Sequence, residues 1–241
     1  MLYFAKIRRT TMSVPQHIAI IPDGNRRWAK KKNLPAFFGH RAGAKTTEKI
    51  LTAAIKLGIP CLTFWGASIN NVTKRDSREI GFLFKLFTAY FKKITKAKLI
   101  HQNEVKIQVL GLWPKYFPKD CQEAIKGAMT ATKNYKKHQL TILLAYNGTE
   151  EMVAAMKKIA HLPAAEITDE TIKQNLYTKD LPPVDLVIRT GGEPHLSAGF
   201  MMWDIADAQL YFSPHLWPDF SETEFTKALK NFEETERRLG K

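Results

Sequence analysis

The spacing of hydrophobic and polar residues alternates between two periods along the chain. Short runs rich in β-branched and aromatic residues predict strands, whereas apolar residues that recur at helical spacing predict helices. The predicted strands are HIAII (17–21), CLTFW (61–65), VKIQVL (105–110), LTILLAY (140–146), VDLVIR (184–189) and AQLYFS (208–213). The predicted helices are Gly43–Leu57, Ser77–Ile100, Lys119–Tyr135, Glu150–His161 and Glu222–Leu239. Strands and helices therefore alternate over most of the chain.

This alternation predicts an α/β fold with a mostly parallel central sheet and helices on both faces. The 241 residues contain no internal repeat, low-complexity tract or convincing linker, so we expect one domain rather than two. We place that domain at residues 15–241. Residues 1–14 are expected to form a flexible N-terminal extension, in which Met12 is an alternative start.

Polar residues, glycines and arginines follow the predicted strands. They are Asp23, Gly24 and Asn25 after the first strand, Ser68, Asn71 and Arg75 after the second, Asn147 and Gly148 after the fourth, and Arg189, Gly191 and Gly192 after the fifth. Open parallel sheets bind ligands beyond the carboxyl ends of their strands. We therefore expect these loops to converge on one site at that edge of the sheet.

The segment PDGNRRW, after the first predicted strand, has the chemistry of a diphosphate-binding loop. Gly24 permits a tight turn at the start of a helix, and the forked donors of Arg26 and Arg27 suit phosphate oxygens. Asp23 would repel a diphosphate unless a hard cation lies between them, which predicts a substrate-bridged Mg²⁺. The alternative is a structural turn in which Asp23 is only a helix cap.

Composition narrows the range of partners. The formal net charge of +14 predicts anionic partners, namely nucleic acid, phosphorylated small molecules or an acidic membrane surface. No apolar stretch reaches the roughly 20 residues needed to cross a bilayer, so any membrane contact is expected to be peripheral. Cys61 and Cys121 form no CxxC pair, which predicts buried thiols in a reducing cytoplasm rather than a structural zinc site.

Four blocks of the sequence, HIAIIPDGNRRWAK, GHRAGA, VDLVIRTGGE and RRLG, resemble the cis-prenyltransferase family of undecaprenyl diphosphate synthases and their relatives. The likeness runs from about His17 to Gly240, in the family order. It implies a homodimeric, Mg²⁺-dependent cytoplasmic enzyme that condenses isopentenyl diphosphate in cis onto an allylic diphosphate such as farnesyl diphosphate. The product would be a polyprenyl diphosphate, a lipid-carrier precursor, released by peripheral contact with the inner face of the membrane.

The resemblance also implies roles for individual residues. Asp23 matches the essential Mg²⁺-associated aspartate of the family, and Asn71 matches its proposed proton acceptor. Because an amide is a poor base, we expect Asn71 to orient the substrate while departing pyrophosphate or a water takes the proton. The implied substrate-binding residues are Gly24, Asn25, Arg26, Arg27, Trp28, His40, Ser68, Arg75, Arg189, His195, Ser197, Arg238 and Gly240. Of these, Arg238 and Gly240 belong to a tail that reaches the partner subunit's site.

The sequence departs from the family pattern at several positions. Ala36 replaces a phosphate-binding arginine, His195 stands where an arginine is expected, and Gln209 replaces a metal-facing glutamate. Gln209 is therefore a weak metal residue, unless Asp207 or Glu193 serves in its place.

The product of such an enzyme needs a hydrophobic tunnel. The segment Glu79–Ile94 is apolar around more than half of its circumference, which is more than one sheet face requires. It is expected either to line the tunnel or to be a core helix that contributes to a dimer interface.

Two other functions are weighed against an active enzyme. The departures at Ala36, His195 and Gln209 suggest a catalytically weak partner or regulatory subunit, but the retained Asp23 favours activity. The basic charge suggests a nucleic-acid-binding protein. No RNA- or DNA-binding motif occurs, however, and the cations gather around a glycine turn and an acid, so nucleic acid is not an expected partner.

Overall fold

The computed structural model describes residues 14–235 of the chain. The predicted N-terminal extension lies outside this range except for Val14, and Arg238 and Gly240 lie outside it as well.

The described residues contain one six-stranded sheet, in which every neighbouring pair of strands is parallel. The strands are β1 (His17–Ile21), β2 (Cys61–Ala67), β3 (Val105–Leu110), β4 (His138–Leu144), β5 (Leu186–Arg189) and β6 (Gln209–Phe212). Their order across the sheet is β3-β4-β2-β1-β5-β6. The predicted α/β fold is confirmed, and the sheet is parallel throughout rather than mostly parallel.

Ten α-helices lie between and after the strands in residues 14–235. They are α1 (Asn25–Lys31), α2 (Ala36–Lys56), α3 (Ile69–Thr73), α4 (Ser77–Ile94), α5 (Lys98–Gln102), α6 (Trp113–Tyr116), α7 (Lys119–Thr132), α8 (Gly148–Ile159), α9 (Asp169–Asn175) and α10 (Glu222–Glu234). Short 3₁₀ turns occur at Ala164–Glu166 and Trp217–Asp219.

Two helix predictions differ from the structure by more than three residues, while α7 and α8 differ from theirs by three residues or fewer. Leu239, the predicted end of the last helix, lies outside the described residues. The second helix begins at Ala36 rather than Gly43, because Pro35 has the extended backbone that precedes a helix. The predicted helix Ser77–Ile100 is divided into α4 and α5. Thr95 Oγ1 donates a hydrogen bond of 2.8 Å to the carbonyl oxygen of Phe91, and Ala97 adopts extended backbone with ψ of 121°.

The order of the strands places a crevice at the carboxyl ends of β1 and β5. The chain leaves β1 toward β2 on one side of the sheet, whereas it leaves β5 toward β6 on the other side. Where adjacent strands have connections that diverge in this way, a ligand-binding crevice opens. Ile21 pairs with Arg189 at this edge. Asp23 and Thr190 therefore reach the crevice from neighbouring strands.

Alternate residues of β1 enter two hydrophobic clusters on opposite faces of the sheet. Ile18 and Ile20 belong to a cluster that includes residues of α2, α4, α7 and α10. Ala19 and Ile21 belong to a second cluster, which contains Tyr146. The hydroxyl group of Tyr146 donates a hydrogen bond of 2.5 Å to Glu151 of α8. Helices therefore lie on both faces, and all of β1 is buried, as is typical of parallel sheets.

Close packing of α1 against α2 fixes the loop that follows β1. Gly24 precedes α1 with a φ of 111°, in the left-handed region that favours glycine. A Cβ atom at Gly39 would lie 2.0 Å from the carbonyl oxygen of Asn25, and one at Gly43 would lie 2.2 Å from Asn25 Oδ1. Because Gly39 and Gly43 have no side chains, α1 can lie close to α2, and this packing holds Asn25 at the crevice.

His17 is a neutral, fully buried residue at the start of β1. Its Nδ1 lies 2.8 Å from the carbonyl oxygen of Pro182, and its Nε2 lies 2.8 Å from Thr63 Oγ1. A carbonyl oxygen can only accept, so Nδ1 carries the proton and Nε2 accepts from the Thr63 hydroxyl. Burial lowers the pKa of His17 below its usual value of 6.5.

We expect Gly39→Ala to destabilise the protein by about 2 kcal/mol or more, because backbone atoms of Asn25 cannot rotate away from the added methyl group. Gly127→Ala on α7 is the matched control, since nothing lies within 4 Å of its added Cβ. The control should be neutral or stabilising by up to about 1 kcal/mol. Urea denaturation measures both, and equal effects would contradict the packing argument.

The stability that His17 provides should depend on pH. Below about pH 6.5 the unfolded chain binds a proton at this residue, whereas the buried ring resists it, so the contribution is full above that pH and is lost as the pH falls. The difference in free energy of unfolding between wild type and His17→Gln should therefore shrink between about pH 7.5 and pH 5.5. Urea denaturation at each pH tests this, and a constant difference would refute it.

Candidate active site

A cavity of about 1010 Å³ opens at the carboxyl edge of the sheet, where β1 and β5 meet. Loops after β1, β2 and β5 all contribute to its lining, as the sequence predicts, whereas Asn147 and Gly148 after β4, which were also expected there, do not line it. The predicted site residues that line it are Asp23, Gly24, Asn25, Arg26, Arg27, His40, Ser68, Asn71, Arg75, Arg189 and Ser197. The structure therefore brings most of the predicted site together.

Asp23 is held by both its backbone and its side chain. Its carbonyl oxygen accepts hydrogen bonds from Thr190 Oγ1 at 2.8 Å and from the backbone N–H of Trp217 at 2.9 Å. Its carboxylate Oδ2 accepts from Arg189 Nη2 at 2.9 Å, and Arg27 Nη2 lies 3.3 Å away. About a third of the Asp23 side chain remains exposed, so the carboxylate is fixed in position but still open to the cavity.

Arg189 is the most deeply buried cation of the site, with a side chain only 4% exposed. Besides Asp23, its guanidinium donates to the carbonyl oxygen of His195 at 2.7 Å and to Ser197 Oγ at 3.0 Å. The Nε–H of Arg189 is buried and has no hydrogen-bond partner among the described residues. Arg189 therefore positions the β5–β6 loop against the loop that follows β1.

Arg27 joins the same two loops from the exposed side. Its Nη1 donates to the carbonyl oxygen of Gly191 and to Glu193 Oε1, both at 2.9 Å. Glu193 Oε2 also lies 3.5 Å from Arg189 Nη2. Glu193, which the sequence offers as a substitute for Gln209, thus stands beside the two arginines that contact Asp23.

Glu79 is a site residue that the sequence analysis did not assign. Its Oε1 accepts from His40 Nε2 at 2.9 Å and from Arg75 Nη1 at 3.0 Å, and its Oε2 lies 3.8 Å from Arg26 Nε. Burial lowers the pKa of His40 and of Arg75, and the Glu79 carboxylate opposes both shifts. The spacing of Arg75 and Glu79, four residues apart at the start of a helix, was the signal in the sequence.

Ser68 and Asn71 form a reciprocal cap at the start of α3. The Ser68 hydroxyl accepts from the backbone N–H of Asn71 at 3.1 Å, and Asn71 Oδ1 accepts from the backbone N–H of Ser68 at 3.2 Å. Asn147, after β4, accepts from the backbone N–H of Ile69 at 3.2 Å. The amide oxygen of Asn71 is thus engaged with the backbone, which suits an orienting residue better than a base.

Several predicted residues do not line the cavity. Trp28 Nε1 donates to Asp219 Oδ1 at 2.7 Å, and the His195 ring lies 3.2 Å from Ser197 Oγ. Gln209 pairs with Leu186 at the amino end of β6, about 10 Å along the strand from the edge that carries Asp23. Within one chain, the predicted metal contact of Gln209 is therefore not formed beside Asp23.

The donor set fits a substrate-bridged Mg²⁺ rather than a metal held by protein alone. No group of three or more His, Cys, Asp or Glu side chains in residues 14–235 could hold a metal. Asp23 instead offers one carboxylate to a cavity lined by arginines, and Mg²⁺ commonly takes one or two carboxylates plus substrate phosphates. Cys61 and Cys121 are free and buried, as predicted, and burial raises the pKa of Cys61 to about 12. Cys61 is therefore a protonated thiol at neutral pH.

Comparison with known proteins places the site in a family. Residues 21–240 match the family described as undecaprenyl diphosphate synthase. The chain is 38% identical over 234 residues to the tritrans,polycis-undecaprenyl-diphosphate synthase (geranylgeranyl-diphosphate specific) of Pyrococcus horikoshii, with 95% of this chain and 88% of the relative covered. It is 37% identical over 236 residues to the ditrans,polycis-undecaprenyl-diphosphate synthase ((2E,6E)-farnesyl-diphosphate specific) of Vibrio vulnificus, with 95% and 92% covered.

A solved structure agrees with these sequence matches. Lavandulyl diphosphate synthase from Lavandula x intermedia, crystallised in complex with dimethylallyl diphosphate, superposes with a TM-score of 0.87 at 30% identity. The comparison covers 95% of this chain and 99% of that one. By sequence and by fold, the chain therefore belongs to the undecaprenyl diphosphate synthase family of cis-prenyltransferases.

Proposed function

We propose that the protein condenses isopentenyl diphosphate, in cis, onto an allylic diphosphate primer to make a polyprenyl diphosphate. The observation that carries this proposal is the convergence of Asp23, Arg27 and Arg189 on one cavity at the sheet's carboxyl edge. The names of the relatives support the substrate class, since they specify geranylgeranyl or farnesyl diphosphate as primers. Dimethylallyl diphosphate, bound in the structural relative, is also an allylic diphosphate.

The hydrogen-bond donors of the cavity suit two diphosphate groups. Arg26, His40 and Arg75 form one wall, gathered around Glu79, and Arg189 forms another with Ser197. We propose that the first wall holds the allylic diphosphate and that the second holds isopentenyl diphosphate. Forked guanidinium donors bind phosphate oxygens in pairs, so each wall fixes orientation as well as charge.

The reaction needs charge stabilisation more than it needs a nucleophile. The double bond of isopentenyl diphosphate attacks C1 of the primer, the C1–O bond breaks, and diphosphate leaves with the bonding electrons. Donors that are already aimed at the departing oxygens lower this barrier, because they do not have to reorganise during the reaction. A proton is then lost to the departing diphosphate or to water, while Asn71 orients the substrate.

Mg²⁺, which we propose is held by Asp23 and substrate oxygens, supplies further neutralisation of the leaving diphosphate. Asp23 suits this role because its carboxylate is fixed by arginines on one oxygen and remains partly exposed. Arg27 and Arg189 hold that carboxylate in place.

The hydrocarbon tail of the product requires an apolar path from this cavity. The lining includes Ile21, Leu34, Trp65 and Leu83 beside the polar residues. Of the apolar helix α4, Leu83 reaches the cavity, whereas Phe84, Phe87 and Tyr90 pack against the main core cluster. We propose that the tail runs past Leu83, while most of α4 is a core helix.

The assembly and location of the enzyme are further proposals. We propose a cytoplasmic homodimer, supported by the resemblance and by the exposed Leu210 on the edge strand β6. No helix in residues 14–235 is long and apolar enough to cross a bilayer. We therefore propose that the membrane contact needed for product release is peripheral.

We expect Asp23→Asn to lower kcat by about 100-fold or more, because the amide cannot hold Mg²⁺ against the leaving diphosphate. Asp180→Asn, which alters an exposed acid paired with Lys179, is the control and should keep wild-type turnover. The assay uses farnesyl diphosphate, labelled isopentenyl diphosphate and Mg²⁺, followed by product sizing. Near-wild-type turnover by Asp23→Asn would refute the metal assignment. An inactive wild type would favour the partner-subunit alternative. An inactive wild type that shows salt-dependent binding to random oligonucleotides would favour the nucleic-acid-binding alternative.

Ala36 lines the cavity at the position where the family has a phosphate-binding arginine. We expect Ala36→Arg to lower the KM for the allylic primer by roughly tenfold or more, as one charge-assisted hydrogen bond to phosphate would do. The uncharged Ala36→Gln is the control for side-chain length and should leave KM nearly unchanged. Steady-state kinetics with varied primer measure both, and a shared effect of the two variants would contradict the proposal.

A further inference from the structure

The start of α2 presents exposed aromatic residues beside the cavity. Phe37 and Phe38 are 36% and 39% exposed, and their ring centroids lie 4.5 Å apart. The ring of Phe82, on α4, lies 5.3 Å from that of Phe37. Leu34, just before the helix, is also exposed. Adjacent exposed apolar residues mark a surface that meets another apolar body.

Exposed cations flank these rings. Arg41 follows Phe37 by four positions and Phe38 by three, which places it on the same side of α2, and Lys45 lies one turn further. Lys85 follows Phe82 by three positions on α4. None of the three cations has an ion-pair partner among the described residues. We call Phe37, Phe38, Phe82, Arg41, Lys45 and Lys85 the basic aromatic face.

Acidic residues are scarce around this face. The sequence has no Asp or Glu between Asp23 and Glu48, a stretch that carries seven lysines and arginines. Glu48 is paired with Lys93 at 2.6 Å, and Glu79 is nearly buried under its own cations. Asp76, which caps α4, lies 3.9 Å from Arg78. The face therefore carries net positive charge together with exposed aromatic rings.

We propose that the basic aromatic face docks on an anionic lipid bilayer. Aromatic rings insert at the boundary between head groups and acyl chains, and cations within reach contact anionic head groups. An acidic protein surface would satisfy the cations but not three clustered rings. A second copy of this chain would bring the cations against one another.

The position of the basic aromatic face indicates a role for the docking. That role rests on the proposed function. Residues 33–36, which run directly into Phe37, line the cavity. A bilayer on this face would therefore lie at the cavity's own border. A hydrocarbon product leaving there would enter lipid with little exposure to water, and a long primer would arrive by the same route.

Vesicle co-sedimentation of the full-length protein tests the docking without any turnover. We expect binding to vesicles of phosphatidylcholine with phosphatidylglycerol, weak binding to phosphatidylcholine alone, and release by salt, since exposed charge interactions are screened. Phe37→Ser with Phe38→Ser should weaken binding by about tenfold or more. The matched control is Val153→Ser with Met156→Ser, on the exposed side of α8, which should bind as wild type.

A second pair of variants tests the cations. Arg41→Glu, Lys45→Glu and Lys85→Glu together should weaken binding by about 100-fold or more, because each basic residue near an anionic surface gives roughly a fivefold gain. The matched control combines Lys133→Glu, Lys136→Glu and Lys137→Glu, which change the net charge equally. These lysines lie between α7 and the amino end of β4, at the opposite edge of the sheet, so this control should weaken vesicle binding only slightly.

The outcomes separate the proposal from its rivals and from the proposed function. Equal losses in the two charge variants, or no binding of wild type to anionic vesicles, would overturn the docking. A change of oligomeric state in the aromatic variant, measured by light scattering without lipid, would show that a second copy covers the face. Thermal melts show whether each variant folds. If the aromatic variant does not fold, vesicle binding by the charge variant decides the outcome. If the wild type binds vesicles but does not condense isopentenyl diphosphate onto a primer, only the proposed function is overturned.

Discussion

The ion pair between Asp23 and Arg189 is the interaction on which the site depends. A guanidinium as buried as that of Arg189 needs a carboxylate, because an unpaired buried charge costs several kcal/mol. The parallel register of β1 and β5 places Ile21 beside Arg189, so the residues that follow β1 are within reach. Thr190 and Trp217 then hold the backbone of Asp23. The sheet itself therefore determines where the carboxylate stands.

The remaining arginines of the cavity, and His40, follow the same rule of pairing. Arg27 contacts Asp23 and Glu193, and Glu79 gathers His40 and Arg75. These carboxylates hold the donors in position before any substrate arrives. An incoming diphosphate would find its hydrogen-bond donors already oriented, which is the condition for electrostatic catalysis without reorganisation. Because the cations of the site are matched by acids, the net charge of +14 arises largely from residues outside the site.

The fold was predictable from the sequence because the buried strands are short, apolar and separated by helical segments. The convergence of loops was predictable because Asp23 and Ser68 each follow a strand of one parallel sheet, and Arg189 ends another. Two kinds of feature were missed by hydrophobic patterning and motif matching. Glu79 acts through a contact between α4 and α2, which hydrophobic spacing does not report. The distance of Gln209 from Asp23 follows from the register in which β6 pairs with β5. A sequence motif does not contain information about strand register.

The division of α4 from α5 was missed for a related reason. No glycine or proline marks the break, which falls at the extended backbone of Ala97. The closeness of α1 and α2 was also hidden, because a glycine in a motif does not show what lies opposite it. Only the structure shows that Asn25 occupies the space at Gly39 and Gly43.

That last contact changes how the block GHRAGA should be used as a signature. Its two glycines are required by the approach of Asn25, which is a demand of the architecture and not of the chemistry. A gene copy that had lost catalysis would still need both glycines to fold. Genome searches that rely on this block would therefore collect inactive paralogues along with enzymes. Given the Mg²⁺ role proposed for it, the aspartate after the first strand would be the better criterion for separating them.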